Sequence, residues 1–116
     1  MRKPPTTVYR GYAEEPDYRI TVQTDRLPET ALRLRDSLKV RNHSPTGFCW
    51  GYAGSGPAQT ALAILLDYYG DTFLATRYYQ TFKGRYVSEW RKGEPWEITG
   101  AAIEEFVARV EKEDPR

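Results

Sequence analysis

A chain of 116 residues has room for one domain and one ordinary hydrophobic core. Charged residues make up 28% of it and hydrophobic residues 40%, which argues against a disordered chain and against a membrane-spanning one. A net charge of +1 argues against strong nonspecific attraction to nucleic acid, and a single cysteine with a single histidine excludes an internal disulfide framework and a typical zinc site. Because no secretion signal or long apolar run is found, we expect a cytoplasmic protein with one domain over 1–116 and flexible ends at 1–7 and 113–116.

Strand patterns come first along the chain. Residues 8–13 and 18–24 are rich in aromatic and β-branched side chains, and in the second run Tyr18, Ile20 and Val22 alternate with polar residues. Turn residues at 14–17 join the two runs, so we predict an antiparallel hairpin. Residues 29–41 are compatible with strand or helix, and their alternation of apolar and basic residues favours a strand. A loop over 42–47 and a short aromatic strand or extended segment over 48–52 follow.

Three helices are predicted in the rest of the chain. The first, from Pro57 to about Tyr69, is apolar nearly all round, as a central buried helix would be, and Gly70 is its expected C-cap. The second runs from an N-cap at residue 71 or 72 to about residue 90. The third covers about 100–112, after a short extended segment and an N-cap at Thr99. The predicted fold class is therefore α+β: about three N-terminal antiparallel strands followed by three helices, the first of them central and buried.

The most informative segment is the glycine-rich turn that leads into the first of these helices. Glycines at 51, 54 and 56 predict positive φ angles or close backbone approach. Free N–H groups and the positive end of the helix dipole could bind a phosphate or carboxylate there, with contacts from Ser55 and Gln59. The phosphate-loop motif GxxxxGK[ST] is absent, however. The alternative interpretation is a tight structural turn packed under Trp50 and Tyr52.

The loop before this turn offers a second candidate site. Arg41, Asn42 and His43 could bind an anion, and His43 could act as a base for Ser44 or Cys49. Adjacent residues seldom reach the geometry of a base and its nucleophile, and no carboxylate is evident to orient His43. Side chains of a proline-containing turn that bond their own backbone are the plainer interpretation.

The second predicted helix and its end carry basic and aromatic residues together. Cations with exposed rings are how single-stranded nucleic acid is often held. The residues that would serve are Arg77, Tyr78, Arg85, Arg91 and Lys92. Most rings of this helix fall on the seam opposite the arginines, which is what an amphipathic core helix requires.

Three successive stretches of the chain are distinctive: Asn42-His43-Ser44-Pro45-Thr46-Gly47-Phe48, Trp50-Gly51-Tyr52 and Gly54-Ser55-Gly56-Pro57-Ala58-Gln59. Together they closely resemble domain of unknown function family 6166, a family of small domains found in bacterial and phage genomes. The resemblance implies no known reaction, cofactor or substrate. It implies an accessory role in phages or mobile elements, such as interference with a host system. In the family pattern an acidic residue often stands at position 49, which argues against Cys49 as a nucleophile.

These patterns favour a non-enzymatic binding protein without cofactor or metal, whose partner is a macromolecule or a nucleotide-like ligand. The expected binding residues are Arg41, Asn42, His43, Trp50, Tyr52, Gly54, Ser55, Gly56 and Gln59. Nucleic-acid binding through the basic-aromatic helix is one alternative, and a small hydrolase or transferase using His43 is the other. The many aromatic residues also allow an oligomer.

Overall fold

The computed structural model describes residues 2–14 and 17–113, and it shows the α+β architecture that the sequence predicts. Four strands form the sheet: β1 (Val8–Glu14), β2 (Asp17–Gln23), β3 (Thr30–Ala31) and β4 (Trp96–Thr99). The helices are α1 (Leu34–Leu38), α2 (Ser55–Tyr69), α3 (Thr72–Arg85) and α4 (Gly100–Glu113), with a short 3-10 helix at Val87–Glu89. The order in the sheet is β3-β2-β1-β4, and every pairing is antiparallel.

The predicted hairpin is confirmed, with Tyr9 opposite Val22 and Gly11 opposite Ile20 in the register. Its connecting residues 15 and 16 lie outside the described part of the chain. Alternation places Ile20 and Val22 on the buried face. The other face carries a polar network in which Arg10 bonds Glu97 at 2.8 Å and Gln23 at 2.9 Å.

Helix α2 is the centre of the molecule, as its all-round apolar pattern predicts. Eleven of its residues, from Gly56 to Tyr68, are buried. It begins at Ser55 with Gly54 as N-cap, so Pro57 occupies the third helical position rather than the predicted first. Proline is tolerated there because the N–H groups of the first turn have no partner within the helix. Gly70 is the left-handed C-cap, with φ of 62°, as predicted.

The strand predicted over 29–41 is wrong for most of its length. Only Thr30 and Ala31 pair in the sheet, and residues 34–38 form helix α1. The residue that becomes fully buried is the polar Ser37, whose hydroxyl donates to the Leu34 carbonyl at 2.8 Å. The alternation of apolar residues therefore does not predict α1, because the fully buried side chain of this helix is a serine.

Two further boundaries differ from prediction. Helix α3 ends at Arg85 rather than near residue 90, because Tyr86 leaves the helical region with φ of −124° and ψ of −65°. Residues 48–52 form no strand, and the chain bends at residues 51 and 52, where Gly51 has φ of 88°. The predicted caps at Asp71 and Thr99 are confirmed, since each side chain accepts a backbone N–H three residues later.

The segment before β1, for which the sequence suggests flexibility, is bonded to the body of the protein. The Lys3 N–H donates to the Tyr68 carbonyl at 2.8 Å, and Thr7 is fully buried. The Lys3 ammonium and the Tyr9 hydroxyl also reach the carboxylate of Asp67, at 2.6 and 2.7 Å. Asp67 therefore has partners, as an acid on an apolar helix requires.

Candidate functional site

The loop at 41–44 is held against the first turns of α2 by one buried amide. The Gln59 side chain is fully buried, and its Oε1 accepts the N–H groups of His43 at 2.7 Å and Ser44 at 3.0 Å. Its Nε2 donates to Ser37 Oγ at 2.8 Å and to the Arg41 carbonyl at 3.1 Å. Both lone pairs and both protons of the amide are thus in use. Gln59 positions the loop and cannot at the same time bind a ligand directly.

The next residue of α2 fixes the segment at 48–50, which follows the loop. The Thr60 hydroxyl accepts the Cys49 N–H at 3.2 Å and lies 2.9 Å from the Cys49 carbonyl oxygen. Trp50 is fully buried, and its indole Nε1 donates to the Glu94 carbonyl at 2.9 Å. Neighbouring side chains of one helix therefore organise both segments of the candidate site.

Close backbone approach explains the first glycine of the turn. Gly51 has φ of 88°, and a Cβ built on it would lie 2.3 Å from the backbone nitrogen of Lys92. Its N–H donates to the Val87 carbonyl at 3.1 Å. This contact brings the segment after α3 alongside the turn, although the two are forty residues apart in sequence.

The other two glycines, Gly54 and Gly56, leave the space in which the Tyr52 side chain lies. A Cβ on Gly54 would lie 2.6 Å from Cε2 of the Tyr52 ring, and a Cβ on Gly56 would lie 2.9 Å from its hydroxyl oxygen. Burial, followed by the Cys49 thiol, raises the pKa of the Tyr52 hydroxyl, and a hydrogen bond from the Gly56 backbone opposes that rise. The Gly56 backbone, expected to face a ligand, is buried beside a side chain of the protein itself.

Tyr52 nevertheless remains 39% exposed as a residue, and the Lys92 ammonium lies 5.0 Å from the centroid of its ring. This is a cation–π contact at the surface. Five of the exposed residues around the start of α2 make up what we call the α2 N-terminal face: Arg41, Asn42, Tyr52, Ser55 and Lys92. Of the nine binding residues that the sequence suggests, four are on this face.

The remaining five lie at its edge or beneath it. His43 and Gly54 are half-buried, and Trp50, Gly56 and Gln59 are buried. Lys92 is one of the residues that the sequence suggests for the alternative function, nucleic-acid binding. No local pattern could have revealed its contact with Tyr52, because the contact depends on the approach of two glycine-containing turns.

His43, Ser44 and Cys49 have separate partners. His43 Nε2 lies 2.8 Å from the Tyr79 hydroxyl, whereas the Ser44 hydroxyl donates to the Gly47 carbonyl at 2.8 Å. The Cys49 thiol points to the Trp50 carbonyl at 3.9 Å. In the described part of the chain, no hydrogen bond joins the His43 ring to Ser44 or to Cys49.

The basic residues suggested for nucleic-acid binding are largely engaged within the protein. Arg85 forms an ion pair with Glu113, and Arg91 lies 3.7 Å from the carboxylate of Glu94. Tyr78 is buried, and the Arg77 guanidinium lies 5.4 Å from its ring centroid. The exposed ring that the sequence placed beside the cations is therefore not available for stacking.

Within residues 2–14 and 17–113, no three His, Cys, Asp or Glu side chains come together as ligands of a metal would. None of the described helices combines the length and the apolar character needed to cross a membrane.

Neither a curated protein nor a solved structure matches the chain. The model of one protein family matches residues 9–109, and this range includes α2 and every residue of the α2 N-terminal face. The chain therefore belongs to the family of unknown function DUF6166.

Proposed function

We propose that the chain is a non-enzymatic binding protein and that the α2 N-terminal face is the surface that contacts its partner. The observation that carries the proposal is the packing of Tyr52 against Gly54 and Gly56. Two glycines leave the room that the ring occupies, and Lys92 is held over it, yet the ring stays exposed. A ring needed only for packing would gain more from burial, since apolar area removed from water contributes about 25 cal/mol per Å².

The composition of the face indicates the kind of partner. Arg41 and Lys92 carry positive charge, and the exposed carboxylate of the neighbouring Glu94 lies 3.7 Å from Arg91. Tyrosine and arginine are enriched among residues that dominate binding energy at protein interfaces. We therefore propose a macromolecule with an acidic surface as the partner. A nucleotide-like ligand that stacks on Tyr52 is the alternative occupant of the same face.

An accessory role in phages or mobile elements, with interference with a host system, fits a protein that works through contact. That role rests on the family resemblance, and we propose it on that basis together with action in the cytoplasm. Nucleic-acid binding through residues 77–92 has less support, because Arg85 and Arg91 have acidic partners within the chain. The hydrolase or transferase alternative has less support for a similar reason, since His43 bonds Tyr79.

The test is affinity capture from cells that carry the gene, with three versions of the full-length chain. The face variant combines Tyr52→Ala with Lys92→Glu. The matched control combines Phe73→Ala with Lys112→Glu, an equivalent change at an 89% exposed ring and an exposed lysine elsewhere. We expect the wild type and the control to retain the same partner and the face variant to lose it.

Three results would contradict the proposal. The face variant could capture the same partner as the wild type, the control could lose it equally, or the wild type could capture none. Thermal unfolding of all three versions distinguishes loss of the face from loss of the fold. A titration with ATP distinguishes the nucleotide-like ligand from the macromolecular partner, because the former predicts saturable changes in the NMR shifts of Tyr52.

A further inference from the structure

A cavity lies at the opposite end of α2 from the face described above. Its lining comes from the segment before α1, from α1 itself and from the last turns of α2, and its volume is about 280 Å³. This is close to the lower end of the range for ligand cavities, about 300 Å³, so the space suits a small molecule. Leu32, Ala63 and Leu66 supply an apolar part of the lining.

Two opposite charges line the same cavity without pairing. Arg33 and Asp36 are both exposed, and neither forms an ion pair or side-chain hydrogen bond with another residue in the described part of the chain. They are three positions apart, a spacing at which a helix often brings an acid and a base together. Here each charge remains available to a ligand.

A third charged group is oriented by the core. Asp67 lines the cavity, and both of its hydrogen bonds, from Lys3 and from the fully buried Tyr9, go to the same oxygen, Oδ2. The other oxygen, Oδ1, has no bond to any residue that the structure describes. The buried Tyr9 hydroxyl thus fixes the orientation of a carboxylate at the cavity wall.

These groups together favour a ligand with both charges. Asp67 already pairs with Lys3, but a simple anion would leave Asp36 unpaired, and a simple cation would leave Arg33 unpaired. Gly70 also lines the cavity at the C-terminal end of α2, where the helix dipole favours positive charge.

We propose that this cavity binds a small zwitterion, an α-amino acid with an aliphatic side chain. Its ammonium group is received by Asp36 and Asp67, its carboxylate by the guanidinium of Arg33, and its side chain by Leu32, Ala63 and Leu66. A guanidinium matches a carboxylate through paired hydrogen bonds. This site is separate from the α2 N-terminal face, so either proposal can fail while the other stands.

The test is a titration of the full-length chain with L-leucine, followed by amide NMR shifts. Two analogues each lack one charge: 3-methylbutan-1-amine has no carboxylate, and 4-methylpentanoate has no ammonium group. We expect saturable shifts in residues 32–37 and 63–70 with leucine, and affinity at least about tenfold weaker for each analogue, because a hydrogen bond to a charged group is lost.

Variants at the two exposed charges sharpen the test. Arg33→Gln and Asp36→Asn should each weaken leucine binding by about tenfold or more. Arg33→Gln should not weaken binding of 3-methylbutan-1-amine, because that analogue has no carboxylate, and Asp36→Asn should not weaken binding of 4-methylpentanoate, which has no ammonium group. Glu105→Gln, at an exposed carboxylate of α4, is the control and should bind leucine as the wild type does.

The proposal is overturned if leucine gives no saturable shifts in these residues. Equal affinity for either analogue would also overturn it, as would variants that bind leucine like the control. Because both substituted side chains are exposed, a loss of binding with an unchanged melting temperature reports on the cavity and not on folding.

Discussion

Single polar residues inside α2 decide where the loops around the candidate face lie. Gln59 and Thr60 are both fully buried, yet they contact backbone groups of segments more than ten residues away. Read from sequence, Gln59 was a candidate ligand contact, because an amide at the start of a helix is compatible with either role. Only the packing shows that its hydrogen-bonding capacity is already used.

We expect Gln59→Leu to lower the free energy of unfolding by about 2 to 4 kcal/mol, because the His43 and Ser44 N–H groups would lose their buried acceptor. Urea unfolding measures the change. Gln80→Leu, at an exposed position of α3, is the control and should change the stability by less than about 0.5 kcal/mol. Equal small effects at both positions would show that Gln59 does not hold the loop.

The packing of the Tyr52 ring against Gly54 leads to a second prediction for single residues. Gly54 has extended backbone, with φ of −165°, so alanine there meets no backbone strain and only the Tyr52 ring opposes it. Gly54→Ala should therefore destabilise the protein by about 1 to 3 kcal/mol. In a Tyr52→Ala background the same substitution should cost less than about 1 kcal/mol, because the opposing ring has gone.

A double-mutant cycle by chemical denaturation measures this coupling. Gly84→Ala is the matched control, since a Cβ there meets nothing within 4 Å. It should stabilise α3 by about 0.5 to 1 kcal/mol in both backgrounds. Additive effects of Gly54→Ala and Tyr52→Ala would mean that the glycine is not there for the ring.

At the scale of elements, the predictions succeeded where local chemistry determines the structure. Hairpin alternation and the caps Asp71, Gly70 and Thr99 act within a few residues, and all are confirmed. The predictions for residues 34–38 and for the end of α3 were wrong, because both structures depend on packing against residues that are distant in sequence. Ser37 is buried under Gln59, and the backbone after α3 turns to meet Gly51. For the same reason the sequence found part of the candidate face but not the contact between Tyr52 and Lys92.

The cap of α3 provides a test of these local rules. The Asp71 carboxylate accepts the Leu74 N–H at 3.2 Å. We expect Asp71→Ala to cost about 1 kcal/mol of folding stability, and Asp71→Ser to cost much less, because serine is an equally good N-cap. Thermal unfolding of the two variants measures the difference. Equal losses would show that the hydrogen bond at the cap is not what stabilises the helix.

At the scale of the whole molecule, tyrosines join helices α2 and α4 to strand β1. Tyr9 and Tyr68 pack edge to face at 6.5 Å, and Tyr68 bonds Glu104 of α4. Burial is the main cause that raises the pKa of Tyr69 to about 12, and it also raises the pKa values of Tyr9 and Tyr68. The folded state therefore favours the neutral phenols.

This shift predicts how stability depends on alkaline pH. An unfolded tyrosine has a pKa of about 10, so the stabilisation is complete below that pH and is lost as the pH rises towards 12. We expect the free energy of unfolding to fall between pH 10 and 11.5, with a smaller fall for Tyr69→Phe. Guanidinium denaturation at each pH measures both. Identical falls for the two proteins would show that Tyr69 ionises as easily in the folded state as in the unfolded one.

The central claim is that the α2 N-terminal face contacts a macromolecular partner, and site-specific photo-crosslinking in the cells that carry the gene tests it most directly. A crosslinking side chain replaces Ser55, which is exposed beside Tyr52 and leaves the ring and Lys92 intact, or replaces Phe73 as the control. We predict a discrete crosslinked adduct from position 55 that disappears when Lys92→Glu is added, and none of that mass from position 73. The same adduct from position 73, or none from position 55, would contradict the account.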